Sequence, residues 1–341
     1  LKNNKHHIAA KAAEEQRMNN LSVLREKSAQ KGVDALLVVD PLNQRYLSGF
    51  SFTDGYLLIT KEKAYLITDF RYYEMALSRA SSEFTVVMPE DRAAFFGKVF
   101  AEEGVRTLGI EGKSMTYAEA AEWKRKYPVE IADIGLLTEE LRQIKTPEEI
   151  EKMQKAQDIA DGALARLLPL LRPEMTELDV AVELEYQMRR LGSEKPAFET
   201  IAVSGDASAL PHGTPRNVKL KPGFLTMDFG ATYEGYLSDM TRTVVIGRAD
   251  AAMKKLYDTV LHAQLSALEY LSTGAGVDGG EADKVARDII DADYPGAFGH
   301  SLGHSVGLFI HETPGLSKRY FGRKLRAGEI VTVEPGIYLF G

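Results

Sequence analysis

Cysteine is absent from all 341 positions. No disulfide can brace the fold and no thiolate can hold a metal, so any bound ion must rest on oxygen and imidazole ligands. Long apolar runs are missing too. None approaches the roughly 18 to 20 residues that cross a bilayer, and the N-terminal residues lack an apolar signal-peptide core. The expectation is a soluble protein with no membrane partner, at home in the cytoplasm. Clustered Lys and Arg are scarce, the net charge is -7 and the isoelectric point lies near 5.7. A polyanion-binding face, and with it a nucleic-acid partner, is not expected. What remains, at 44% hydrophobic and 27% charged residues, is an ordinary globular composition in a chain long enough for two domains.

Residues 1 to 17 lack an initiator Met and precede Met18-Asn19-Asn20-Leu21, which suits a native start. They read as an appended tag or linker. A targeting presequence is the alternative, and Glu14 and Glu15 argue against it because organellar targeting peptides avoid acidic residues. From 18 to 144, short apolar runs at 35–39, 56–60, 64–68, 84–88 and 107–111 alternate with helical stretches, the pattern of an α/β domain. At Lys145-Thr146-Pro147-Glu148-Glu149 the sequence carries a helix start: Thr146 can cap, Pro147 fits the first position and Glu149 closes a capping box. A second domain is expected over 145–341. Its helices are predicted from 147 and over 177–191, 253–271 and 281–291, with β-rich stretches over 198–246 and from 298 onward. The order helix, helix, strands thus occurs twice, without an internal sequence repeat to accompany it.

Three places carry residues suited to chemistry. In the first, residues 225–230 and 236–243 alternate like strands, and a hairpin centred on Tyr233-Glu234 would set Asp228 directly opposite Asp239. Two carboxylates so close would need a cation or a retained proton; read alone, they could equally be turn formers at strand ends. In the second, His300, His304 and His311 fall within twelve positions, among glycines that permit close backbone approach. Any one of the three could still be a buried structural histidine. In the third, residues 329–338 read as a strand carrying Glu334 just before Pro335-Gly336, a pattern also common on surfaces.

Taken together, M-D-F-G at 227–230, S-D-M-T-R-T at 238–243, G-H-S-L-G-H-S-V-G-L at 299–308, H-E at 311–312 and E-P-G-I-Y at 334–338 resemble the prolidase, Xaa-Pro aminopeptidase and methionine aminopeptidase superfamily, metallopeptidase family M24. Its catalytic domain has the α+β pita-bread fold. Residues 32–37 and 43–50 resemble the creatinase-like N-terminal domain of the proline peptidases, which methionine aminopeptidases generally lack. The resemblance implies a metal set of two Asp, one His and two Glu. Asp228, Asp239, His304 and Glu334 match the first four; the fifth lies in the family on a strand just beyond the E-P-G segment and is expected past residue 341, so that the C-terminal strand is missing from this chain.

The resemblance further implies two divalent ions, Mn²⁺ or Co²⁺ with Zn²⁺ possible, sharing a water whose pKa they lower while polarising the scissile carbonyl. Glu334 would be both ligand and general base. His300 and His311 would steady substrate or oxyanion, with Tyr338 beside them in the substrate pocket. His212, in the matching segment 204–213, would meet the proline side of the bond, whereas His262 lies outside every motif and is expected to be structural or exposed. The implied activity is hydrolysis of Xaa-Pro bonds in short peptides by a homodimer. The rivals are a methionine aminopeptidase, a creatinase-like enzyme that keeps no metal ligands, and a non-catalytic peptide-binding relative.

Overall fold

The computed structural model describes residues 19–274 and 276–339. The expected tag at 1–17 lies outside them. Along the described residues the chain divides after Arg142 into two compact units.

In the first unit a helix over residues 19–30 (α1) precedes a six-stranded sheet. The strands are β1 (Ala35–Val38), β2 (Gly55–Thr60), β3 (Ala64–Thr68), β4 (Thr85–Val87), β5 (Thr107–Ile110) and β6 (Glu130–Asp133), in the order β4-β3-β2-β1-β5-β6. The apolar runs read from the sequence become β1 to β5, because Leu, Ile and Val fill both faces of a sheet covered by helices. β6 escaped that reading: its Glu130 and Asp133 ends are polar, as suits a short edge strand. Five helices follow the first: α2 (Pro41–Ser48), α3 (Phe70–Arg79), α4 (Arg92–Glu102), α5 (Tyr117–Lys126) and α6 (Leu137–Arg142). Between α4, α5 and the sheet lies an aromatic core in which Phe96, 1% exposed, meets Trp123 edge to face at 4.8 Å and Tyr56 at 5.7 Å.

The second unit opens with α7 (Pro147–Leu167), and its start is the one legible in the sequence: the Thr146 side chain accepts from Glu149 N while Glu149 returns to Thr146 N, a complete capping box. Together α7 and α8 (Glu177–Arg190) cover a three-stranded sheet of β7 (Ile201–Ser204), β8 (Gly223–Phe229) and β11 (Met240–Ile246), in the order β11-β8-β7. Leu225, Met227 and Phe229 alternate along β8 toward the helices and are fully buried, so the residues between them, Thr226 and Asp228, face the other way. The short β9 (Thr232–Tyr233) and β10 (Tyr236–Leu237) extend this hairpin to its turn. Next come α9 (Ala251–Ser272) and α10 (Gly279–Asp293), which approach closely through Ala263, Ala267, Ala282 and Ala286 and share a core with Phe298, Leu302 and Leu316. The last paired strands are β12 (Gly303–Ser305) and β13 (Glu312–Leu316).

Residues 329–338 do not form the strand read from the sequence. The segment is extended, and Thr332 N and Glu334 N donate to the carbonyls of His304 and Leu302 at 2.8 and 2.9 Å. The reciprocal donors are diverted to side chains, His304 N to Thr332 Oγ1 and Leu302 N to Asp283 Oδ1, and Pro335 has no N–H to continue a ladder.

Trp123 is the chain's single tryptophan, so its fluorescence reports on the first unit alone. Phe96→Ala removes the ring it packs on and should destabilise that unit by about 3 to 5 kcal/mol. The check is a denaturant titration followed at Trp123; an unchanged midpoint would contradict this picture of the core.

Candidate metal centre

Asp228 and Asp239 belong to the β8–β11 hairpin, but not as a facing pair. The ladder sets Thr241 opposite Asp228, and the same register continues through Tyr236↔Tyr233. It therefore differs by two residues from the hairpin expected around Tyr233-Glu234. The turn is Glu234-Gly235, with φ of 44° and 78°. A two-residue hairpin turn wants positive φ at both positions, which glycine meets freely and a Tyr at the first position resists. A slip of two preserves the face of each residue, so Asp239 stays on the side of Asp228 as its diagonal neighbour, in register with Gly230. Gly230 lets the strands close up there: a Cβ on it would lie 2.0 Å from Ser238 O.

His304 and Glu334 come from the other half of the unit. His304 sits in β12 at a bulge between His304 and Ser305, and bulges re-aim side chains. Its Nδ1 lies 3.1 Å from Ser305 O, a carbonyl that only accepts, so Nδ1 carries a proton and Nε2 is the nitrogen turned toward the cluster. Nε2 is 3.1 Å from Glu334 Oε1 and 3.4 Å from Asp239 Oδ2. The Thr332 hydroxyl donates to Glu334 Oε1 at 2.7 Å and fixes that carboxylate. Asp239, His304 and Glu334 thus offer one ligand atom each within 4.8 Å of one another.

The electrostatics of this cluster are those of too many anions in too little water. Burial pushes the Asp228 carboxyl up to about 6, against a hydrogen bond from Thr241 and with the help of Glu334. Asp239 is pushed up to about 7 by burial and then by the charges of Asp228 and Glu334. Burial opposes ionisation of Glu334 as well, but the bonds from His304 and Thr332 prevail and hold it below the usual range. For His304, burial disfavours the cation, yet Glu334 and Asp239 raise its pKa nonetheless. Without a further cation the site stores protons on its carboxyls. Asp228 Oδ1 is buried and has no hydrogen-bond partner among the described residues. An orphaned carboxylate oxygen beside two further carboxylates and an outward-facing imidazole nitrogen fits a divalent ion, and the oxygen-rich set is of the hard-to-borderline kind.

Three further histidines, His311, His300 and His212, lie near this cluster. The His311 ring meets that of His304 edge to face at 4.5 Å, and burial followed by the His304 charge lowers its pKa, keeping it neutral near pH 7. His300 Nε2 lies 3.2 Å from the Tyr338 hydroxyl, whose pKa is pushed up to about 12 by burial and then by Glu334. His212, on an exposed loop after β7, is close enough to act on the charges of both Asp228 and His311. His262 is exposed on α9, as expected. Two supporting groups escaped the sequence reading. Thr332 could have been found by alternation, since it precedes Glu334 by two in an extended segment. Lys145, read only as part of a helix start, is buried with its ammonium 3.0 Å from Glu312 Oε2 and 3.1 Å from Ser305 Oγ, beside the bulge that aims His304.

Residues 151–341 match the family described as Metallopeptidase family M24, and residues 21–144 match the Creatinase/Prolidase N-terminal domain. The chain is 39% identical over 315 residues to the Xaa-Pro dipeptidase of Pyrococcus horikoshii, covering 91% of this chain and 87% of that protein. Among solved structures it resembles an Xaa-Pro dipeptidase from Bacillus anthracis, at 38% identity with a TM-score of 0.89, covering 95% of this chain and 91% of that one. It also resembles an X-Pro aminopeptidase from Thermotoga maritima, at 35% identity with a TM-score of 0.85, covering 93% and 91%.

A metal must displace the protons held on Asp228 and Asp239 before it can bind there. Affinity for Mn²⁺ should therefore rise with pH through the range from about 5 to 7, by up to about tenfold per unit for each proton released. Asp239→Asn should weaken binding by at least about 100-fold and flatten that slope. Calorimetric titration in buffers of different ionisation enthalpy reads both quantities; an affinity independent of pH, or untouched by D239N, would contradict the site.

Proposed function

Because this chain belongs to metallopeptidase family M24, with a creatinase/prolidase N-terminal domain and a pita-bread catalytic domain, we propose that it hydrolyses Xaa-Pro bonds in dipeptides or at the N-terminus of short peptides. The convergence of Asp239, His304 and Glu334 within 4.8 Å, beside the orphaned Asp228 oxygen, carries this reading. The proposal takes residues 18–144 as the N-terminal domain and 145–341 as the catalytic domain, with every group assigned to the chemistry in the second. Homodimeric assembly and a cytoplasmic location are part of the same proposal.

Asp228, Asp239, His304 and Glu334 would hold two divalent ions, and the carboxylate-rich donor set with one imidazole favours Mn²⁺ or Co²⁺, with Zn²⁺ a weaker fit. When bound, such ions supply a water of lowered pKa and positive charge for the developing oxyanion. The chain's own groups do the rest. Glu334, oriented by Thr332, takes the proton of the attacking water as its oxygen adds to the carbonyl carbon. His311, neutral near pH 7, donates to substrate or to the tetrahedral oxyanion, and His300 with its partner Tyr338 steadies the substrate. As the C–N bond breaks, the proton on Glu334 passes to the proline nitrogen, which leaves as a secondary amine. An Xaa-Pro amide has no N–H, so recognition on that side must come from shape and from groups such as His212 rather than from a carbonyl acceptor.

The test is turnover by the full-length protein. Xaa-Pro dipeptides should be cleaved after addition of Mn²⁺ or Co²⁺, with activity lost on chelation. Glu334→Gln should lower kcat by about 10²- to 10⁴-fold. Parallel assays on Xaa-Pro-Yaa peptides separate dipeptidase from aminopeptidase. Cleavage of Met-Ala peptides with Xaa-Pro left intact, or turnover unaffected by prolonged EDTA treatment, would overturn the proposal.

A further inference from the structure

Glu177 has no part in the metal cluster, yet its side chain is fully buried in the first turn of α8. A buried carboxylate demands compensation, and among the described residues it comes from the two ends of one loop. From the strand side, Ser204 donates its N–H at 2.8 Å and its hydroxyl at 2.9 Å to Glu177 Oε1. From the far side, Arg216 donates Nη2 to Oε1 at 2.7 Å, and Nε and the backbone N–H to Oε2 at 2.8 and 3.2 Å. The backbone repeats the tie, Leu178 N donating to Arg216 O and Glu177 N to Val218 O. Arg216 therefore grips Glu177 with both arms of its fork, a geometry that lysine cannot reproduce. Between these anchors runs 205–215, held in shape by its own short-range bonds, Ser208 Oγ to Gly205 O at 2.7 Å and Gly213 N to Leu210 O at 3.1 Å. The loop carries His212.

We propose that the Glu177–Arg216 pair is a positioning device that sets the His212 loop against the metal cluster and thereby determines affinity for the proline side of the substrate. The inference rests on the proposed Xaa-Pro hydrolysis. Closing a loop at both ends on one rigid helix removes the freedom that its imidazole would otherwise lose on binding substrate. Neither Glu177 nor Arg216 touches the reacting atoms, so the pair acts through His212. Loss of the tie should appear in KM rather than in kcat, because a group that holds ground state and transition state alike changes binding alone.

Four variants test it: Arg216→Ala, Arg216→Lys, His212→Ala and the R216A/H212A double variant, each assayed on an Xaa-Pro dipeptide in the Mn²⁺-loaded full-length protein. R216A should raise KM by about tenfold with kcat within about twofold of wild type, and R216K should fall between. In the H212A background R216A should add nothing further, since the group it positions is gone. Amide hydrogen exchange should accelerate across 205–215 in R216A while the β8–β11 hairpin exchanges as before, a readout independent of turnover. An unchanged R216A KM in an active enzyme, an equal penalty with and without His212, or unaltered exchange in the loop would each overturn the inference while leaving the proposed activity standing. Wild-type protein that cleaves no Xaa-Pro peptide would instead overturn the functional reading and this inference with it.

Discussion

Three carboxyl groups from two distant stretches of chain converge where water is scarce, and the rest of the catalytic unit is arranged around their mutual repulsion. Asp228 and Asp239 are pushed up to about 6 and 7 because an ionised neighbour and a low-dielectric setting both disfavour a second and third negative charge. Among the described residues, His304 is the one side chain within the cluster that can carry the opposing charge. Such an arrangement is costly for a protein that binds nothing, since protonated carboxyls and an unpartnered oxygen contribute little to folding. A divalent cation reverses the balance, turning the repulsion into the driving force for binding.

Holding anions together requires a scaffold that cannot relax away from them, and the unit supplies it in layers. The β8–β11 ladder fixes Asp228 and Asp239 on one face, with a glycine where the strands come closest. The β12 bulge aims His304, and the extended segment ending at Pro335 delivers Glu334 through single backbone bonds to β12 and Leu302. Ion pairs built on buried carboxylates brace the periphery: Lys145 with Glu312 beside the bulge, Asp283 with Arg287 behind His300, and Glu177 with Arg216 at the His212 loop. Arg287 also donates to the carbonyls of Phe298 and His300 at 2.6 and 2.7 Å, fixing the backbone of the histidine-bearing segment. The Glu177–Arg216 pair joins α8 to the stretch that carries His212, and the Asp283–Arg287 pair within α10 is bonded to the backbone that carries His300, where a positional error of an ångström would matter most.

Much of this was legible in the sequence, for identifiable reasons. The strands β1 to β5 announce themselves because covered sheets select apolar residues on both faces, and the α7 start because a capping box is a local code. The clustering of Asp228, Asp239, His304 and Glu334 was expected from a family resemblance, not from spacing, since no local rule joins residue 228 to residue 334. Turn chemistry was misread by one residue: the hairpin pivots on Glu234-Gly235, and the two-residue slip that follows moved Asp239 off the position opposite Asp228 without changing its face. The segment bearing Glu334 reads as a strand, with β-branched Ile330, Val331, Thr332 and Val333 in a row, but ladder formation depends on which backbone groups are free, and Asp283 and Thr332 have taken them. Glu177 with Arg216, and Lys145 with Glu312, stayed invisible for a related reason: each couples residues 39 and 167 positions apart, and nothing in either neighbourhood names the other.

The central claim, that the carboxylate cluster exists to hold divalent ions, is tested most directly by anomalous diffraction from crystals soaked in Mn²⁺. The account expects anomalous peaks lying among Asp239, His304 and Glu334 and reaching the otherwise unpartnered Asp228 oxygen, with His304 bound through Nε2. Peaks confined to other parts of the molecule, with the four side chains unmoved and the cluster free of bound manganese at saturating concentration, would contradict it.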